Sequence, residues 1–450
     1  MVLSLKFESR KIKVRKRFEG GRRHGNCESC GMFFSWMMCA AAAAVVTAGR
    51  CQAQNDTLKL DFSTAERLFE ERNLLVRARK MEALGEKSLI PQAKAWDNPN
   101  LYLEQNIYNQ FTRSPLPLGA NGETIVQLEQ LVRLAGKRSK AAKVQEQSAK
   151  IQELYTNETV RALKYELRVA LGDLDYLRRV IDFYDRSVKQ MEEIVEKYRE
   201  QHARGNLSLS EKIRVESLFH DTAVERLEYK MAYSEREATV RLLVGEESNR
   251  PVVAIIPTIP DVPVPVVTTL LQTALDNRPD LKIQREKTGF QERLLQLERA
   301  NAVPDLAVGY VYDKAGNFIN NYHAFSLSMD IPVFNRNKGR IEQANYLVNA
   351  AQRETEHLEL LVKNDLVQAL DKLQELDVVY DRYGPEYLQD YDKLMSATFE
   401  NYLKRNVGFL EFADLFESYK QTVLTSERLY NERRQIFEFL SFTCATQLFD

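Results

Sequence analysis

Asp414 and Glu417 stand three apart in "EFADLFESYK" (411–420), a spacing that puts both carboxylates on one face of a helix. Such a pair can gather or repel cations. It can equally be ordinary first-turn decoration, because acidic groups suit the dipole at a helix N-terminus. His202 and His220 invite a metal reading, but no Cys, Asp or Glu cluster joins them at ligand spacing, so they read as solvated surface. Cys27-x-x-Cys30 has the spacing of a redox or zinc motif without a second ligand pair. No serine, cysteine or histidine is placed with a base as a nucleophile, and no glycine loop would cradle a phosphate. The chain reads as a non-enzyme with no cofactor and no metal site.

Composition narrows the class further. The 63 basic and 64 acidic residues leave a formal net charge of -1, which gives no reason to expect a nucleic-acid partner. Gly (18) and Pro (13) are scarce in 450 residues, which suits long helices better than punctuated β domains. Residues 1–53 read as a targeting segment, with a basic start, an apolar run from Met32 to Val46 and a cut after Ala53. An uncleaved anchor is the rival, although the run is short of the ~20 residues a spanning helix needs. Lipidation at Cys51 is the other, but Arg50 occupies the place where a lipobox has Gly, Ala or Ser. Cys27, Cys30, Cys39 and Cys51 all fall in or beside this segment's end, so Cys444 alone would remain and no disulfide framework forms.

Helix-period sequence dominates the rest. Between Ser139 and Gln201 there is no proline and a single glycine, Gly172, while apolar residues recur three and four apart. Some 60 residues at 1.5 Å each make a rod of ~95 Å. A shorter helix is expected over 208–244. The tract 340–404 repeats the long one with an interruption near "YGPEY" (383–387), and 409–445 repeats the shorter one.

Short alternating segments separate these tracts. In "NYHAFSLSMDI" the set His323, Phe325, Leu327, Met329 and Ile331 alternates with Tyr322, Ala324, Ser326, Ser328 and Asp330. In "TIVQLEQ" Val126 and Leu128 oppose Gln127 and Glu129. With "NLYLEQNIYNQ" (100–110) and "DLAVGYVYDK" (305–314), these read as two β-hairpins closed by Gly/Asn/Pro-rich loops. Tyr102, Tyr108, Tyr310 and Tyr312 fit either an interface belt or packing between hairpins.

The order repeats. Pro99 matches Pro304, Asn73 matches Asn277, Gly136 matches Gly339 and Gly205 matches Gly408, with offsets of 203 to 205. The chain therefore divides into a first repeat (54–248), a Pro-rich linker (249–265) and a second repeat (266–450). The fold class is mainly α with a small β part: long coiled-coil-like helices in tandem duplication plus two hairpins. Four strands are too few to close a barrel, and open strand edges are not tolerated in lipid. Three chains would supply twelve. Phe325, Leu327, Met329, Val126 and Leu128 would then face lipid, with Ala324, Ser326, Ser328 and Asp330 facing a wet lumen.

Over 57–445 this arrangement resembles the TolC-like outer-membrane efflux family, including its cation and multidrug efflux branch. The resemblance is carried by the duplicated order, by "NPNL" and "VPDL" entering the first strand of each half, by "IPVFNRNKGRIEQA", and by Gly205 and Gly408 between paired helices. It implies a homotrimer in the outer membrane of a Gram-negative bacterium. It also implies a periplasmic helical tunnel, an adaptor protein, an inner-membrane pump and surrounding lipid as partners. Arg204, Gly205, Asn206 and Leu207, with Val407, Gly408, Phe409 and Leu410, would be the tips that meet the adaptor. Asp414 and Glu417 would line the closed aperture. Pro332, Gly136 and Gly339 would mark the strand-to-helix junctions, with Arg336, Lys338 and Arg340 at headgroup level. A passive duct leaves substrate choice to the pump, so metal ions, drugs and polypeptides all fit. Long helical hairpins alone would also fit a periplasmic coiled-coil adaptor or scaffold, which has no need of amphipathic hairpins.

Overall fold

Asp61 and Asn73 start the helical part by capping. Each side chain accepts a hydrogen bond from the backbone N–H three residues on, Thr64 and Val76, which satisfies donors that a helix start leaves free. They open α1 (Phe62–Arg72) and α2 (Leu74–Lys94), which follow a three-residue strand β1 (Leu58–Leu60). The computed structural model describes residues 57–117, 122–259, 265–315 and 319–449. The targeting segment, its four cysteines and residues 260–264 of the Pro-rich stretch lie outside the described residues.

The first repeat continues with β2 (Asn100–Gln105), a two-residue ribbon of β3 (Tyr108–Asn109) and β4 (Ser114–Pro115), β5 (Thr124–Val132), α3 (Lys137–Ala203) and α4 (Leu209–Val244). After β6 (Val252–Ala254), the second repeat has α5 (Val267–Asn277), α6 (Pro279–Asn301), β7 (Leu306–Ala315), β8 (Asn320–Met329), α7 (Lys338–Tyr380), α8 (Pro385–Leu403) and α9 (Phe409–Cys444). The mainly α expectation holds. At 67 residues α3 is a rod of about 100 Å. Its counterpart is broken by a 3-10 turn, Asp381–Tyr383, and an extended Gly384 just before Pro385, which has no N–H to continue the ladder.

The Pro-rich stretch is more than a linker. Val252–Ala254 pairs in parallel with Leu58–Leu60, and Val252, Ala254 and Leu60 are buried in the first repeat's core beside Phe69, Leu171 and Leu243. A second core holds Leu281, Leu366, Phe437, Leu440 and Cys444, with the thiol's pKa pushed up to about 11 by burial. A third gathers Met191, Ile194 and Val215 with Met395, Phe399, Tyr402, Phe412 and Phe416, joining both helical hairpins near their ends.

Duplication is built more deeply than the landmark residues suggested, and in a different register. Asn73 ends α1 and begins α2 while its amide donates to the Leu243 carbonyl in the last turn of α4. In the second repeat this place belongs to Arg278, which joins α5 to α6 and reaches the Thr443 carbonyl in the last turn of α9. Asn277, the expected match, is the last residue of α5.

Candidate functional site

The four longer strands form one antiparallel sheet in the order β2-β5-β7-β8, so both hairpins join through β5 and β7 and both outer edges stay open. Facing partners in antiparallel strands share a side. One row is Leu101, Leu128, Tyr310 and Phe325, the next Leu103, Val126, Tyr312 and His323, and the lowest Val132, Leu306 and Met329. This face is apolar and open to solvent in the single chain, with Phe325 89% and Leu327 72% exposed. The opposite face carries Glu129, Gln127, Gly309, Ala324, Ser326 and Ser328. The register thus separates the tyrosines: Tyr310 and Tyr312 lie on the apolar face, Tyr102 on the polar one.

At the junctions the left-handed backbone falls on Gly136 (φ 68°) before α3 and on Asn337 (φ 56°) before α7. Gly339, the expected counterpart, is instead in the first turn of α7. Asparagine tolerates the left-handed region, and the Asn337 amide donates to the Glu298 carbonyl at the end of α6, fixing the turn. Pro332 lies three residues beyond the ladder's last pair, Leu306 with Met329.

The tips also correct the register. Residues 201–206 close α3 with Gly205 left-handed (φ 74°), and its N–H and that of Asn206 bond to the His202 and Gln201 carbonyls. The same pair of bonds closes α8, from Arg405 to Tyr402 and from Asn406 to Asn401, and the left-handed residue there is Arg405 (φ 63°). Gly205 therefore corresponds to Arg405, and Gly408 to Ser208, the capping residue of α4. Gly408 has φ −75° and ψ 160°, an extended conformation open to any residue, so it is not the turn-forming glycine the sequence suggested. Its Cβ position has nothing within 4 Å. Leu410 is strongly exposed, while Leu207 and Val407 are half-buried. His202 is absorbed by its tip, hydrogen-bonded to the Leu207 carbonyl at 2.9 Å.

Asp414 and Glu417 do lie near each other on α9, but they differ. Glu417 is held by Lys420 at 2.8 Å and by the Gln421 amide at 3.0 Å, and Lys420 is buried and also bonded to Glu225 of α4 at 2.9 Å. Asp414 is exposed and has no ion pair or side-chain hydrogen bond among the described residues. Burial alone would raise the Glu417 pKa, but the Lys420 and Gln421 contacts outweigh it and hold it below its ordinary value. Burial would likewise lower Lys420, and the two carboxylates hold it above. A lowered carboxylate stabilises the fold above its unfolded pKa and loses that contribution as pH falls through the folded one; the raised lysine loses its contribution only as pH rises past its ordinary value. The Glu417–Lys420 pair within α9 is therefore intact at neutral pH and weakened in acid. Lys420→Met should weaken the attachment of α9 to α4 by about 1–2 kcal/mol, since both carboxylates are part-exposed. Spin labels on α4 and α9 should move apart in that variant at pH 7.

Deeper in the rod, charges are buried between α3 and α9. Arg434 bonds to Asp175 at 3.2 Å, with the two side chains 5% and 7% exposed. Asn431 and Gln435 donate to Asp173, and Arg168 pairs with Glu438 and Glu66. A Cβ on Gly172 would come 3.3 Å from the Arg434 chain, so the single glycine of the rod marks this close approach. A cleft of about 620 Å³ opens beside Arg161, Lys164 and Arg168, each of them countered by Glu66, Glu70, Glu158, Asp280 or Glu438. Among the described residues no His/Cys/Asp/Glu group could hold a metal ion, and no helix is long and apolar enough to cross a membrane.

No protein-family model and no curated protein sequence matches the chain. Solved structures do. The Campylobacter jejuni CmeC outer membrane channel aligns over 86% of this chain and 87% of its own, with a TM-score of 0.73 at 11% identity. The outer membrane protein VceC of Vibrio cholerae aligns over 86% and 96%, with a TM-score of 0.66 at 13% identity. CusC, described for its folding and transmembrane channel formation, aligns over 86% and 93%, with a TM-score of 0.68 at 15% identity. With its paired hairpins in one sheet above long duplicated helical hairpins, the chain has the fold of the TolC-like outer-membrane efflux channels.

Proposed function

We propose that three copies of this chain form an outer-membrane channel that passively conducts substrates delivered by a periplasmic adaptor and an inner-membrane pump. The observation that carries this is the four-stranded sheet, apolar on one exposed face, polar on the other and open at both edges. Such a sheet is stable in lipid only when its edges are closed. Pairing β2 of one copy with β8 of the next closes a barrel of twelve strands from three chains, with Phe325, Leu327, Met329, Val126 and Leu128 outward. Ile213, Val224, Leu227 and Met231 recur at helical spacing and are exposed on α4, which supports a seam between copies along the rods. The neighbours' description as outer-membrane channels supports the location.

In this reading α3, α4, α8 and α9 enclose a periplasmic tunnel, and residues 204–207 and 407–410 meet the adaptor. Asp414 supplies the charge of the aperture, because Lys420 already neutralises Glu417 within one chain. The purified protein in a planar bilayer should open cation-preferring channels. Asp414→Asn should weaken that preference more than Glu417→Gln, because a ring of three uncompensated carboxylates favours cations. Absence of conductance from correctly inserted protein would contradict the channel, and equal effects of the two substitutions would contradict the role given to Asp414.

A further inference from the structure

Below the lowest lipid-side row, the chain leaving β8 keeps the same alternation. Asp330 and Pro332 line a cleft with Ser328, Ala307 and Leu131 on the polar side, while Ile331 and Val333 are exposed away from it. Phe334 follows, 99% exposed, and then Arg336, Lys338 and Arg340, all exposed and without an ion pair among the described residues. The other junction repeats the exposed aromatic in a different residue. Trp96, two residues beyond α2, is 62% exposed, and the Arg138 guanidinium stacks 3.7 Å over its ring with Nη1 covered from solvent. Neither α3 nor α7 has an acid in its first turn, where the helix dipole favours one. At α3 the first-turn cation Lys137 is already paired with Asp305 at 2.7 Å, whereas α7 starts with the exposed cations Lys338 and Arg340, which leaves that junction open to an anion from outside the chain.

We propose that these two junctions form a collar that binds the phosphate headgroups of anionic phospholipids in the leaflet at the base of the barrel. Phe334 and Trp96 enter the acyl boundary; Arg336, Lys338 and Arg340 take the phosphates. The lipid surface is favoured as occupant because the apolar residues continue the lipid-side face of the sheet without a gap and the cations begin where that face stops, the order of groups at a membrane boundary. This rests on the outer-membrane reading and goes beyond it by assigning headgroup selectivity to particular residues.

Trp96 can report on its own collar, since the other tryptophan of the chain is Trp36. The test uses the full protein carrying Trp36→Phe, in phosphatidylcholine vesicles that contain either brominated phosphatidylglycerol or brominated phosphatidylcholine at equal mole fraction. Basic side chains near an anionic surface each favour it by an amount equivalent to about five-fold in binding. The brominated phosphatidylglycerol should therefore quench Trp96 with an apparent association constant at least about five-fold higher. The preference should fall to parity in R336Q/K338Q/R340Q and in the parent protein at 1 M salt, where screening is nearly complete. Equal quenching by the two lipids in the parent, or a preference that survives in the variant, would overturn the collar while a conducting protein upheld the channel. If neither lipid quenches Trp96 and no conductance is seen, both fall together.

Discussion

Gly408→Arg should leave the trimer in the membrane and remove efflux. Gly408 has an extended backbone and open space around its Cβ position, and its counterpart in the first repeat is Ser208, which already carries a side chain there. The substitution is thus without strain inside the chain, and its effect reads on whatever the tip touches. A bulky cation in the centre of a docking surface typically costs 2 kcal/mol or more, roughly a 30-fold loss of affinity for the adaptor. The measurement is adaptor cross-linking together with efflux by cells that make the variant at parental level. Gly205→Ala is the control, because φ 74° there imposes a strain of about 1 kcal/mol without adding a protruding group. Parental efflux and cross-linking in Gly408→Arg would remove the tip from the interface.

Asp175→Leu should be the most destabilising single change in the rods. It leaves Arg434, whose other contacts are the Pro257 carbonyl and the Tyr430 hydroxyl, buried without a carboxylate. Breaking a buried pair from one side costs about 3–5 kcal/mol. Arg178 and Arg179 also lose a partner, but Arg178 is 42% exposed and Arg179 keeps Glu427 at 3.0 Å. The double change Asp175→Leu/Arg434→Leu should recover much of the loss, since replacing both partners removes the uncompensated charge. Thermal unfolding followed by helical circular dichroism checks both. A double variant no more stable than the single one would show that Arg434 does not need Asp175.

Much of this architecture is legible in the residues, and the misses share a cause. Long helices announce themselves through sixty residues of unbroken period, and the sheet faces through strict alternation in "HAFSLSM". Glycine landmarks misled because positive φ, not the residue type, is what repeats: the turns take Gly136 and Asn337, then Gly205 and Arg405. Local hydrogen bonds and tertiary contacts let a non-glycine occupy the left-handed position, and no pattern in one sequence signals it. Two other features were out of reach. β6 is three residues long in a run of prolines, so its pairing with β1 depends on a contact across almost two hundred residues. The Lys420 attachment joins α9 to α4 in the same way, and it pairs Glu417 within the chain.

Closure of one barrel by three chains is tested most directly at the open edges of the sheet. With all native cysteines changed to serine, one cysteine replaces Tyr102 on β2 and a second replaces, in turn, Tyr322, Ala324, Ser326 or Ser328 on β8, all on the polar face. A disulfide forms only where the Cα atoms approach within about 7 Å. At one register, oxidation of membranes should give bands of one, two and three chains on a non-reducing gel and nothing larger. A ladder running beyond three chains, or no cross-link at any position in membrane-inserted protein, would contradict the barrel.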